Sequence, residues 1–209
     1  MRDLSNDLSH LSVNTATVRK SRGVDWPLDR IIEGCAARGI RCVSPWRDQV
    51  AALGLTTAAR LLKTEGFALS GYCRGGFFTS KGGTGLQAAL DDNRRTLDEA
   101  ATLGAPFVVL VVGSLPGALD GHAQDKDIEV ARAQAKDGIA RLLDDARDRG
   151  MRLAIEPLHP MQAADRACVN TLELALDWCD ELDPGCSGVV GVAVDAYHVW
   201  WDPKLQRCV

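Results

Sequence analysis

The sequence predicts an α/β fold of the (β/α)8 barrel type, incomplete, with about six βα units present. Three observations predict it. Short runs rich in β-branched and apolar residues alternate with longer runs whose apolar residues recur at three- and four-residue spacing, the textures of buried strands and amphipathic helices. No hairpin signal interrupts that alternation, and strands that alternate with helices lie parallel. The segment after the first strand, "TATVRKSRG", lacks the G-x-G-x-x-G of a dinucleotide-binding sheet, which favours the barrel over the doubly wound sheet. A barrel of this kind usually runs to about 250 residues, and this chain has 209. The expectation is therefore one domain over residues 1–209, lacking the last two βα units.

The elements follow in order. Leu11 to Asn14 reads as the first strand. "PLDRIIEGCAARG" reads as a helix, with Pro27 at its start and Gly39 past its end, the usual punctuation. "IRCVSPW", Ile40 to Trp46, is the second strand, and a helix from about Ala51 to Glu65 stops at Gly66. "FALSGYCR", Phe67 to Arg74, is the third strand, followed by the glycine-rich "GGFFTSKGGTG", which carries no Walker motif. A helix from Leu86 to Leu103 leads to the fourth strand, Pro106 to Gly113. A helix from Asp127 to Arg149 leads to the fifth, Met151 to Pro157. A helix from Thr171 to Leu182 leads to the sixth, Gly188 to His198. "DPKLQ" reads as the start of one more helix, with no helical continuation in the final "QRCV".

Composition excludes several classes. Hydrophobic residues make up 46% and charged residues 25%, ordinary for a globular chain. The net charge of -4 gives no general affinity for polyanions, so nucleic acid is not an expected partner. No apolar run is long enough for a membrane span, and "MRDLSNDLSHLSVNT" lacks the apolar core of a signal peptide, so a cytoplasmic location is expected. The seven cysteines are scattered without a C-x-x-C pair and read as reduced, mostly buried side chains.

In a parallel barrel the working groups sit at the C-terminal ends of the strands. Those ends supply Asn14, Trp46, Arg74 and Gly113, then Glu156 with His159 close behind, then Asp195 with His198. Glu156 follows Leu153, Ala154 and Ile155; Asp195 follows Val192, Ala193 and Val194. A carboxylate delivered to the rim of an apolar core is costly unless paired or hydrogen-bonded, and two on adjacent strands repel. A divalent cation between them removes both penalties. Ion pairs to arginine also occur at strand ends, so the spacing alone leaves a metal site and a structural rim pair both open. His198 brings its ring to the same pocket if a turn follows the strand.

At these residues the chain resembles a known family. "AIEPLHPM", the "NT" at Asn170 and Thr171, and "VDAYHVWWDP" are similar to the sugar phosphate isomerase/epimerase group of the xylose isomerase-like TIM barrels, and "SPWRDQV" and "DDNRR" extend the likeness over nearly the whole chain. The resemblance implies one divalent metal ion (Mn, Mg, Co or Zn) at the barrel mouth. Glu156 and Asp195 match two of its ligands, and Glu156 is also the candidate catalytic base. His198 matches the substrate-binding histidine of D-x-x-H. His159, Arg74 and Trp46 are further candidates for substrate binding. The family's other ligands, a histidine after a seventh strand and a glutamate ending an eighth, have no match within 209 residues. Sugar epimerases of the group often carry a second acid where this chain has Gln162.

The function these features imply is metal-dependent isomerisation or epimerisation of a small sugar or sugar derivative, by proton transfer next to a carbonyl. The alternative is an inactive fragment, or a partial barrel acting through association, since open sheet edges invite pairing as a homo-oligomer. A third reading, an abasic-site endonuclease-like hydrolase, needs further zinc-binding histidines, and His10 and His122 are poorly placed for that.

Overall fold

The computed structural model describes residues 11–21, 23–79, 82–118 and 125–209. These fall into two compact units, residues 1–73 with 98–108, and residues 74–97 with 109–209.

The first unit is built on a three-stranded sheet, β1 (Val13–Asn14), β4 (Cys42–Ser44) and β5 (Ala68–Leu69). Both pairings are parallel, with Val13 beside Val43 and Val43 beside Leu69. Helix α1 (Leu28–Ala36) buries Leu28, Ile31, Ile32 and Cys35, the stripe its three- and four-residue spacing predicts. One long helix was expected next. The chain instead makes two, α2 (Arg47–Leu53) and α3 (Leu55–Thr64), because Gly54 sits at φ 89°. Its amide donates to the Val50 carbonyl and its carbonyl accepts from Ala58, so one glycine ends the first helix and starts the second. A short antiparallel pair, β2 (Lys20–Ser21) with β3 (Val24–Asp25), interrupts the βα alternation and was not anticipated.

The expected third strand is also divided, into β5 and β6 (Tyr72–Gly76). The break falls at Gly71, where an added Cβ would lie 2.7 Å from the Phe107 ring. Tyr72 is fully buried in the first unit. Its hydroxyl donates to Glu99 Oε2 at 2.9 Å, and Arg47 meets the same carboxylate through Nε and an Nη, at 2.8 and 3.1 Å.

A second sheet has the order β6, β7 (Phe107–Val111), β8 (Arg152–Ile155), β9 (Val190–Val192). Sheet order thus follows chain order in both sheets, as right-handed βα crossovers require. In the second unit, β8 and β9 are parallel, with Ile155 beside Val192. Helix α5 (Ile128–Asp148) is capped by Asp127, whose Oδ1 accepts from the Glu129 amide. It buries Ala131, Ala135, Ile139, Leu142 and Ala146 along one face. Gly138 lies on that face because a Cβ there would stand 2.4 Å from the buried Phe78 ring. Helix α4 (Gly82–Leu103) begins earlier than expected, inside the glycine-rich segment, while Ser80 and Lys81 lie outside the described residues.

The sixth strand is much shorter than the apolar run suggested. β9 ends at Val192, where its partner β8 ends, and the chain turns into the one-turn helix α7 (Ala196–Val199). Asp195 and His198 therefore stand on a helical turn and not on a strand. Helices α6 (Leu172–Leu182) and α8 (Leu205–Cys208) complete the described elements. The last of these corrects the expectation of no helix in "QRCV". Among the described residues no helix is long and apolar enough to cross a membrane.

Candidate metal centre

The second unit brings three side chains together. One ligand atom each from Glu156, Asp195 and His198 lies within 4.8 Å of the others. Each is delivered by a different local device.

Glu156 is the first residue past β8. Leu153, Ala154 and Ile155 are buried behind it, and its amide donates to the Leu110 carbonyl at 3.1 Å, so its backbone is held although pairing has ended. Among the described residues no hydrogen bond reaches its carboxylate. Burial pushes that carboxyl from its ordinary value of 4.5 up to about 7. The Asp195 charge pushes the same way, and the Arg74 guanidinium opposes them. A carboxyl that titrates near neutrality can both take and return a proton there.

Asp195 caps α7. Its Oδ1 accepts from the Tyr197 amide at 2.8 Å, and its carbonyl accepts from His198 N at 2.9 Å. The D-x-x-H spacing is therefore that of a cap and the third helical residue, which places both side chains on one turn. His198 is held at three points, two on its ring and one on its main chain. Nδ1 accepts from the His159 amide at 3.3 Å, Tyr197 packs edge-on with centroids 5.0 Å apart, and Trp201 Nε1 binds the His198 carbonyl at 2.9 Å. Burial lowers the His198 pKa; Asp195 acts to raise it, and His159 and Arg166 to lower it.

His159 heads the 3₁₀ turn Pro160–Gln162. Its Nδ1 accepts from Met161 N at 3.2 Å, and its ring stacks on Trp200 at 6.3 Å and meets Trp201 edge-on at 5.8 Å. Arg74, in β6, places its guanidinium 5.0 Å from the centroid of Phe77, a residue in the left-handed region at φ 59°. The backbone there is fixed by buried Asn93, which accepts from Gly76 N and donates to Gly76 O. Trp46 lies in the first unit. It caps α2, its Nε1 donates to Asn14 Oδ1 at 2.7 Å, and the Arg19 guanidinium lies 5.4 Å from its ring. His10 and His122 lie outside the described residues.

The donor set suits a hard divalent cation. Two carboxylates converge, and one is forced toward its neutral form partly by the other's charge, so a cation between them would relieve that repulsion. Sequence reasoning named Asn170 only as part of a motif and gave no role to it or to Asp202. Asn170 donates to the Leu158 and Ala167 carbonyls and so ties the segment after Glu156. Asp202, also buried, accepts from the Leu172 amide at the start of α6 and from Lys204 N. The "DP" in "WWDP" was its only local signal.

Comparison with known proteins shows what the chain is similar to. The family model described as xylose isomerase-like TIM barrel matches residues 32–207. A crystal structure of a protein from Sinorhizobium meliloti 1021 is 50% identical, with a TM-score of 0.87, over 97% of this chain and 68% of that one. The IolI protein with a bound zinc atom is 21% identical, with a TM-score of 0.69, over 90% of this chain and 63% of that one. The 3-keto-D-glucoside 4-epimerase of E. coli is 16% identical, with a TM-score of 0.71, over 94% and 73%. The chain thus spans roughly two thirds of the length of the structures it matches. No match was found among curated proteins.

Proposed function

The chain belongs to the family of xylose isomerase-like TIM barrels, and on that premise we propose that it is a metal-dependent isomerase or epimerase of a small sugar or sugar derivative. The observation that carries the reading is the convergence of Glu156, Asp195 and His198, with Glu156 titrating near neutrality.

Glu156 and Asp195 would hold one divalent cation, Mn, Mg, Co or Zn. When bound, it supplies positive charge to the oxygens beside the reacting carbon and makes the intervening C–H more acidic. Glu156 moves the proton, since its carboxylate has two oxygens and can hold the cation with one while the other takes the proton. His198 donates from Nε2 to a substrate oxygen. His159, whose Nδ1 is engaged by the Met161 amide, offers a second Nε2–H. Arg74, in the same unit, is the further candidate for contact with substrate hydroxyls or an anionic group.

The test is exchange of a carbon-bound proton with D2O in a panel of ketoses, in the presence of Mn²⁺. Exchange by the chain that falls at least about a hundredfold in Glu156→Gln supports the reading. Exchange that survives that substitution assigns the proton transfer elsewhere.

A further inference from the structure

His198 brings a ring nitrogen as close to the two carboxylates as a third metal ligand would lie. We propose that His159 is a positioning residue whose main-chain amide holds His198 in the Nε2–H tautomer, the state in which His198 can donate to substrate.

The argument starts from the inventory of a neutral imidazole, in which one nitrogen donates and the other accepts. His198 Nδ1 faces the His159 amide at 3.3 Å, so Nδ1 is the acceptor and Nε2 carries the proton. The opposite tautomer would set two N–H groups against each other, which forfeits a half-buried hydrogen bond and strands the amide.

The amide is held where it is by its neighbours. The His159 ring stacks on Trp200 and meets Trp201 edge-on, and its Nδ1 is tied to the Met161 amide. Trp201 also binds the His198 carbonyl, so one indole fixes both partners. Upstream, Leu158 donates to the Val169 carbonyl, and its own carbonyl accepts from Asn170. The segment that follows the metal-binding glutamate thus sets the donor state of the histidine 39 residues on.

The inference rests on the proposed Glu156–Asp195 cation site, but its test does not require activity. Imidazole ¹⁵N correlation spectra of the intact chain at pH 8 read the tautomer directly. The wild-type chain should show His198 with a protonated Nε2 and a bare Nδ1, in a ratio of at least about ten to one. His159→Ala keeps the amide and should keep that ratio. His159→Pro removes the amide at a residue whose φ of -49° proline accepts, and should bring the ratio toward one. A wild-type Nδ1–H tautomer overturns the proposal. On titration, zinc that does not bind at all would sink the cation site and leave the tautomer result standing.

Discussion

The end of β8 and the end of β9 present the same functional group in opposite circumstances. Asp195 is built into the backbone: it caps α7, and one of its oxygens is already committed to the Tyr197 amide. Glu156 is held by its main chain, whose amide donates to the Leu110 carbonyl, and its carboxyl is pushed up to about 7 by burial and by the Asp195 charge. One acid is part of the local structure, as the cap of a helical turn. The other is left in an environment that its own charge finds unfavourable, the condition under which a carboxyl binds a cation or carries a proton.

The largest expected effect follows from Glu156. Its folded pKa lies above its unfolded one, so the folded chain binds the proton more tightly. Its contribution to stability is full below pH 4.5 and is lost as pH rises through about 7. The metal-free chain should lose on the order of 3 kcal/mol over that window from this group alone. Glu156→Gln should flatten that part of the profile and be more stable than wild type at pH 8. Urea unfolding at a series of pH values checks this, and an unchanged slope in the variant would show that Glu156 is not under strain.

Asp195 should behave in the opposite way. Asp195→Ala removes a cap and should cost about 1 kcal/mol of stability at pH 8. Asp195→Asn keeps the cap and removes the charge, so it should lower the Glu156 pKa and be at least as stable as wild type at pH 8. Carboxyl ¹³C titration of Glu156 in the two variants separates the roles. Equal destabilisation by Ala and Asn would mean that the cap contributes nothing, and the contrast between the two strand ends would fail.

Much of this was readable from sequence where the signal is local. The helical stripe of α1, the order of the strands and the two acids after apolar runs all follow from periodicity and punctuation. What escaped depends on partners distant in the chain. "GVVGVAVDAYH" reads as one strand to His198, but β9 stops at Val192 because β8, more than thirty residues earlier, stops at Ile155. No window on the apolar run contains that fact. The His159–His198 hydrogen bond is invisible for the same reason. The split at Gly54 differs, since a glycine inside a helical pattern was available as a warning.

The central claim is that Glu156 and Asp195 together hold one cation. Its most direct test is calorimetric titration of the purified chain with Mn²⁺ at pH 8, alongside Glu156→Gln and Asp195→Asn. The account predicts one ion per chain, with affinity reduced at least about tenfold in each variant and with no further loss in the double variant beyond loss of the site. Unchanged one-to-one binding in both single variants would place the ion elsewhere and contradict the account.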